Sequence, residues 1–380
     1  MMKILHTSDW HLGRQFHNYS LLEDQRHVLQ QICTIVAEQQ VDVVIVAGDI
    51  YDRSVPPAVA VELLDETIDR ICHDLQVPMI MIAGNHDSPE RLGFGARQLA
   101  TAGLYVVGNL WQTPQSIVLT DRHGQKVAFY PIPYADPATV RHHHNVEVTS
   151  HEEAMSHLID LIHKSRDRSI PAVAIAHCFL AGGEGSESER PLSIGGVEYV
   201  TPQLFSDFSY TALGHLHGPQ FHHAETIRYS GSLLKYSFSE EQQKKSVTLV
   251  DLSFDGSVSI EKIAIAPLRN MRTLSGSLDE LLAAGKNDPQ CDDYLRIQLT
   301  DTHAILDVMN KLRDVYPNVL HLERPGLVSQ RSVQADRERL QRGELSMFCD
   351  FYQQVTGDEL TEEQNQIVTR ELEQLQRGDA

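Results

Sequence analysis

The sequence predicts an α/β protein in which two stacked mixed β-sheets are flanked by helices, followed by a small α/β domain and terminal helices. Three observations predict it. In the first hundred residues, apolar β-branched runs such as DVVIVAG (42–48) and PMIMIAG (78–84) alternate with helical patterns, the mark of crossover units around a parallel sheet. From residue 127 onward, strand-like runs follow one another with one clear helix between them, which calls for a second sheet. Several runs stop at a carboxylate, amide or imidazole, in the strings SDWH, GDIYD, GNHD, AHC and GHLH. Open α/β sheets place their sites at the carboxyl ends of strands.

In order, KILHT (3–7) reads as the first strand. Ser20 with Glu23 reads as a capping box for a helix to about Gln39. DVVIVAG is a central strand covered on both faces, Pro57 opens a helix to about Leu75, and PMIMIAG is the next buried strand. VAFYPIP (127–133), AVAIAH (172–177), SYTALGH (209–215), TIRYSGS (226–232) and SVTLVDL (246–252) are assigned to the second sheet, with a helix over about 151–166 capped by Ser150 and Glu153. The pattern changes at Ala266-Pro267, so residues 1–266 form the main domain. DYLRIQLT and NVLHLER around a helix from Thr302 to Val315 make a small α/β domain over 267–324. Residues 325–343 open with Pro-Gly, are rich in Arg and Gln, and read as a linker. In 344–380, Leu345, Phe348, Phe351, Tyr352 and Val355 form an apolar stripe, and Thr361 with Gln364 starts a last helix carrying Val368, Leu372 and Leu375. Two amphipathic helices with so little core of their own are expected to dock on a partner.

The bulk properties narrow the function. No run approaches the roughly 20 apolar residues a membrane helix needs, and MMKILHTSDWH reaches Asp9 too soon for a signal peptide. Five dispersed cysteines without CxxC spacing point to reduced thiols and a cytoplasmic protein with no membrane attachment. A formal net charge of −20 argues against a stand-alone nucleic-acid binder unless metal ions or a partner subunit supply positive charge.

The chemistry lies in the strand-end strings. Residues two apart at a strand end point the same way, so Asp9 and His11 can grip one ion. His215 and His217 can do the same or divide between two ions. Asp49 has two oxygens and can bridge a metal pair, Asn85 offers a neutral carbonyl oxygen, and His177 adds an imidazole. A carboxylate, amide and imidazole set without thiolate suits Mn²⁺, with Fe or Zn as alternatives. Two such ions clamp a phosphoryl group and lower the pKa of a bound water. His86 is placed to act as acid or charge stabiliser, and Asp87 to orient His86 or nearby backbone. One such string alone carries little weight, but five in order behind strands are hard to ascribe to packing.

SDWHLG, AGDIYD, AGNHDS and LGHLH resemble the calcineurin-like metallophosphoesterases. The likeness is closer to the SbcD family of bacterial nuclease subunits, counterparts of the eukaryotic break-repair nuclease. TSDWHLGR, VPP after GDIYD, YPIPY (130–134), SERPLSIGGVEYV (188–200) and RYSGSLLKYSFSEEQQKKSV (228–247) carry it. The resemblance implies a metallophosphoesterase sandwich in which Asp9, His11, Asp49 and His217 hold one ion, Asp49, Asn85, His177 and His215 the other, and His86 contacts the scissile phosphate. Asp52 stands where archaeal and eukaryotic relatives carry a functional histidine; bacterial members resemble this chain there, and the resemblance leaves the role of Asp52 open, with support of the metal ligands as one reading. The resemblance further implies an exonuclease on duplex DNA and an endonuclease on single strands and hairpins, serving DNA end processing, replication and recombination. The nuclease domain would form a homodimer within a heterotetramer-type complex. The SbcC ATPase would supply ATP hydrolysis, since the chain has no GxxxxGK[ST] string. Residues 267–324 would be a capping domain, and 344–380 would bind the base of the SbcC coiled coil.

Other features read more plainly. His142-His143-His144 and His222-His223 are expected in solvated loops, GGEGSES (182–188) in a flexible loop, and Cys178 in packing. Arg14, Arg53 and Arg91 follow the metal strings and are candidate DNA phosphate contacts. Two other functions fit the same core: a small-molecule phosphomonoesterase or cyclic-nucleotide phosphodiesterase, and a non-catalytic scaffold. The extension beyond residue 266 argues against a small-molecule hydrolase.

Overall fold

The computed structural model describes residues 1–112, 115–190, 199–303, 305–325, 345, 348–349, 352–353 and 359–378. The chain divides into two compact units, Met1–Leu268 and Arg269–Ala380.

The first unit is built on two six-stranded sheets. One runs in the order Val258–Ala264, Ser246–Leu252, Met2–Thr7, Val43–Val46, Met79–Ile82, Leu104–Val107. Its last four strands are parallel, with Leu5 opposite Val44, Val44 opposite Met79 and Met81 opposite Val106. The other runs Gln220–His222, Ala224–Tyr229, Tyr210–Gly214, Ala172–His177, Lys126–Ile132, Ile117–Thr120. Its four central strands are parallel and its edge strands antiparallel.

Continuous apolar runs are what a strand covered on both faces requires. Between the sheets, Ile4, Val43, Ile45, Ile80 and Ile82 pack with Phe129, Val173, Ile175, Tyr210 and Ala212. Burying each large aliphatic side chain contributes about 1.5–3 kcal/mol. His6, in the first strand, is fully buried: its Nε2 donates to Leu213 O at 3.1 Å and its Nδ1 accepts from the Tyr210 hydroxyl at 2.8 Å, tying one sheet to the other. On the far face of the second sheet, helix His151–Ser165 packs Met155, Leu158, Ile159 and Ile162 against Ala172, Ala174, Ala176 and Leu213. Ser150 caps that helix by accepting from Glu153 N.

Several expectations are corrected. Ser246–Leu252 belongs to the first sheet, because it pairs antiparallel with the N-terminal strand and turns into Val258–Ala264 as a hairpin. Ser20 does not cap helix Leu22–Glu38: it lies in a short strand pair with Gln15–Phe16, and its hydroxyl reaches only Leu22 N at 3.4 Å. His142, His143 and His144 are not in a loop but end helix Pro137–His144, which Asp136 starts by accepting from Ala138 N and Thr139 N. The helix expected over 302–315 is confined to Val308–Arg313, since Asp307 is left-handed (φ 59°) just before it.

The second unit contains three parallel strands, Met271–Gly276, Tyr294–Leu299 and Val319–Glu323. Leu295, Ile297 and Leu299 pack against Leu278 and Leu281 of helix Leu278–Gly285 and against Leu312, Tyr316 and Val319. Helix Glu362–Gly378 starts at a reciprocal pair: Thr361 Oγ1 accepts from Gln364 N and Gln364 Oε1 accepts from Thr361 N. Leu345, Phe348 and Tyr352 have helical backbone. Phe351, Val355 and the linker beyond Pro325 lie outside the described residues.

Candidate metal centre

The strand-end strings meet at one end of the two sheets. Asp9, His11, Asp49 and His215 all have positive φ (53°, 46°, 50° and 107°), a conformation that costs a non-glycine residue about 1–3 kcal/mol and that clusters at functional sites. Backbone bonds hold the first two loops in it, Asp9 N to Gly48 O at 3.0 Å and His11 N to Asp49 O at 2.9 Å. The glycines of the GD and GN strings make room for this. A Cβ on Gly84 would stand 2.1 Å from Asp49 Oδ1, and one on Gly48 2.3 Å from His177 Nδ1. Only a bare backbone lets these loops approach.

Asp49 stands at the centre. Its Oδ1 accepts the backbone N–H of His86 at 2.9 Å. Its Oδ2 lies 3.6 Å from His11 Nε2, 3.5 Å from His177 Nε2 and 4.0 Å from His86 Nε2. Asp9 accepts the backbone N–H of His215 on both oxygens, at 3.0 and 3.1 Å. Ligand atoms of Asp9, His11 and His217 lie within 4.8 Å of one another, as do those of Asp9, Asp49 and His177. Asn85 Oδ1 lies 2.9 Å from His177 Nε2 and 3.3 Å from His215 Nδ1.

Proton placement shows what this cluster can hold. His177 Nδ1 faces the carbonyl oxygen of Ala47 at 2.9 Å and must donate to it. Burial keeps this imidazole below its ordinary pKa, with Asp49 offsetting part of the effect. Neutral, and with its proton on Nδ1, the ring turns a bare Nε2 toward Asn85 Oδ1 and Asp49 Oδ2. Three acceptors converge without a donor among them, an arrangement a cation satisfies. Burial also holds His11 and His215 well below their ordinary values, with neighbouring imidazoles adding to the effect, so both stay neutral as ligands must. Burial and then the charge of Asp49 push Asp9 well above the usual carboxylate range, and the same causes raise Asp87 to about 7. Such crowding of buried carboxylates is what divalent positive charge relieves. The residues therefore fit a pair of divalent ions.

A family model described as calcineurin-like phosphoesterase matches residues 2–219, and one described as type 5 capsule protein repressor C-terminal domain matches 267–356. Among curated proteins, the SbcD subunit of nuclease SbcCD from Staphylococcus saprophyticus is 33% identical over 371 residues, 97% of this chain and 97% of that one. Its namesake from Staphylococcus epidermidis is 33% identical over 366 residues, 96% of each chain. A dimetal phosphatase from Danio rerio covers 70% of this chain and 97% of its own, at 9% identity and a TM-score of 0.41, too loose a likeness to add to these.

The chain is a calcineurin-like phosphoesterase of the SbcD family. As such it is a hydrolase that binds divalent metal. The SbcD-type site has support around it that the sequence did not single out. His217 Nδ1 lies 2.6 Å from Ser188 Oγ and 3.2 Å from Glu240 Oε1, and its backbone N–H donates to Glu189 Oε1 at 2.8 Å. Glu240 is fully buried and takes Lys245 Nζ on Oε2 at 2.6 Å. Burial alone would raise Glu240, but Lys245 and His217 hold it below the usual carboxylate range. Burial lowers Lys245 more than Glu240 raises it, yet its Nζ also donates to His217 O, Ser232 Oγ and Gln243 Oε1, an environment for ammonium.

The remaining candidates lie around this cluster. Asp87 accepts backbone N–H groups from Ile50, Tyr51 and Gly84, so it braces two loops and does not touch the His86 ring. His86 Nδ1 donates to the Asp52 carbonyl at 2.8 Å. The Asp52 carboxylate takes Arg14 at 3.2 Å and lies 4.0 Å from His11 Nδ1 and 3.9 Å from Arg53. Arg14 also stacks on Tyr236, 4.9 Å from the ring centroid, whereas Arg53 and Arg91 are exposed. Cys178 is buried in the core of the second sheet. No helix among the described residues is long and apolar enough to cross a membrane.

Proposed function

We propose that this phosphoesterase is the metal-dependent DNA nuclease subunit of an SbcC–SbcD complex, a double-strand exonuclease and single-strand or hairpin endonuclease acting with the SbcC ATPase in DNA end processing, replication and recombination. The observation that carries it is the convergence of His177 Nε2, Asn85 Oδ1 and Asp49 Oδ2 with no donor among them, in a chain matched end to end by SbcD nuclease subunits.

In this reading Asp9, His11, Asp49 and His217 hold one ion, and Asp49, Asn85, His177 and His215 the other. Mn²⁺ suits the donor set best. When bound, the ions supply Lewis acidity at the phosphoryl oxygens and a water acidic enough to attack at neutral pH. The chain does the rest. The His86 backbone N–H holds Asp49 Oδ1, and Oδ2 faces the His11 and His177 imidazoles with which Asp49 would hold the metals. The Asp52 carbonyl takes the Nδ1 proton of His86, so Nε2 is the nitrogen turned to the cluster, and it contacts the scissile phosphate. Arg53 and Arg91 contact the DNA backbone, and Arg14 braces Asp52. Residues 267–324 act as the capping domain and 344–380 bind SbcC through Leu345, Phe348, Phe351, Tyr352 and Val355. The nuclease domain pairs with a second copy; the exposed Val55, Val59, Val61 and Phe94 support this. The working state is cytoplasmic.

The test is Mn²⁺-dependent cleavage of linear and hairpin DNA beside a chromogenic phosphomonoester, with His86→Leu as control. DNA cleavage that His86→Leu abolishes is expected. Turnover of the small ester alone would make the chain a phosphomonoesterase, and a metal-free protein that cuts nothing would make it a scaffold.

A further inference from the structure

His217 is gripped from three sides. Its backbone N–H goes to Glu189 Oε1 at 2.8 Å, its carbonyl oxygen takes Lys245 Nζ at 2.9 Å, and its ring Nδ1 meets Ser188 Oγ at 2.6 Å and Glu240 Oε1 at 3.2 Å. Ser188 in turn donates its hydroxyl proton to Glu240 Oε1. The proton count has one consistent solution. Glu240 accepts only, so Ser188 donates to it and accepts from His217, which places the His217 proton on Nδ1. In the neutral form that a metal-ligating imidazole takes, Nε2 is then bare, and it lies 3.1 Å from His11 Nε2.

A buried Glu–Lys pair is a poor device for stability alone, since apolar side chains of similar volume usually do as well or better. Hydrogen-bonding a metal-ligating imidazole through its other nitrogen is a known use of a buried carboxylate, because it fixes the tautomer and raises ligand basicity. Glu240, Lys245 and Ser188 form that device, and Glu189 adds a second hold from the same loop.

We propose that Glu240, held by Lys245 and acting through Ser188, is a positioning residue that aims His217 Nε2 at one ion of the pair. The Gly182–Arg190 loop is thereby part of that metal site rather than a loose connection. The inference rests on the two-metal reading above and deepens it.

Titrating metal-free full-length protein with Mn²⁺ by calorimetry tests it, with thermal unfolding of the metal-free form alongside. Ser188→Ala and Glu240→Gln are each expected to weaken one of the two binding steps about 10–100-fold, while the other step stays at its wild-type affinity. A network that served only the fold would lower the metal-free melting temperature and leave both affinities unchanged in the folded fraction. If Glu240→Gln does not fold, Ser188→Ala decides, since it removes one loop hydroxyl and leaves the ion pair intact. Two wild-type affinities in folded Ser188→Ala would overturn the inference. A wild-type protein that takes up no Mn²⁺ would instead overturn the two-metal reading.

Discussion

Asp49 Oδ1 accepts the backbone N–H of His86 at 2.9 Å, so the central carboxylate fixes the loop that carries the proposed phosphate-contacting histidine. Its other oxygen faces His11 and His177. One side chain therefore joins the proposed ligands of both ions to the histidine proposed to meet substrate.

Replacing it separates metal binding from folding. Asp49→Ala removes the shared ligand and leaves His86 N–H without its partner, a loss of about 1–3 kcal/mol. It also removes the charge that raises Asp9 and Asp87. The two effects oppose, so the metal-free variant is expected to melt close to wild type. What disappears is stabilisation by Mn²⁺, which at about 100 times the dissociation constant adds about 2.7 kcal/mol, together with DNA cleavage. Melting curves with and without Mn²⁺, plus elemental analysis, check this. A variant that keeps both ions would show that Asp49 is not the bridge.

The GN string depends on the bare Cα of Gly84. A Cβ there would lie 2.1 Å from Asp49 Oδ1 and 2.3 Å from Asp49 N, and the backbone nitrogen cannot turn aside as a side-chain oxygen can. Gly84→Ala is expected to destabilise the protein by about 3 kcal/mol and to abolish Mn²⁺ binding. Gly95→Ala is the control: φ is +72° but nothing lies within 4 Å of its Cβ. That substitution should lose about 1–2 kcal/mol to backbone strain and leave the metals in place. Equal Mn²⁺ affinity in the two folded variants would refute the steric argument.

What the sequence made legible follows from which signals are local. Val43–Val46 and Met79–Ile82 are readable because a strand buried on both faces has to be apolar at every position. Asp9, Asp49, Asn85 and His215 stand out because each follows such a run within a short glycine- or serine-containing string. Glu240 and Lys245 lie within the 228–247 string that carries the resemblance, but no role could be read for either. In SEEQQKK they look like any charged surface turn, and only the fold reveals that both are buried against His217. Ser246–Leu252 looked like one more strand of the second sheet, since nothing local tells a strand to pair with the far end of the chain, as Leu252 does with Met2. Two misses had a local signal. Asp136-Pro137 is an N-cap followed by proline at the first helical position, and Ser277 with Glu280 is a full capping box.

His6 sets a pH dependence that owes nothing to metal. Burial pulls its pKa from 6.5 down to about 3, against a raising contribution from its bond to Leu213. A folded-state pKa below the unfolded one gives stability that is whole above pH 6.5 and is lost as pH falls toward about 3. In that window the slope from this single proton is about 1.4 kcal/mol per pH unit. Denaturant unfolding of metal-free protein across the window should show the slope, and His6→Gln should flatten it by about one proton while lowering stability at pH 7. Parallel curves for wild type and variant would mean that His6 is not buried as a neutral ring.

The C-terminal helices should be separable from the metal centre. Met1–Leu268 is a compact unit with two cores of its own, one between the sheets and one under helix His151–Ser165. The apolar stripe of 344–380, by contrast, leaves Phe348 38% exposed, and its last helix presents Ile367 53% exposed. Apolar side chains in that state favour a partner surface. Deleting residues 344–380 is therefore expected to leave Mn²⁺ affinity and basal cleavage at their full-length values and to abolish recovery of SbcC in a pull-down. Phe348→Asp in the full chain should weaken that recovery without changing metal binding, because it places a charge in the docking stripe while the chain length is unchanged. A truncated chain that still retains SbcC would move the docking surface to the first 343 residues, and a truncation that lost its metals would mean that the first unit does not stand alone.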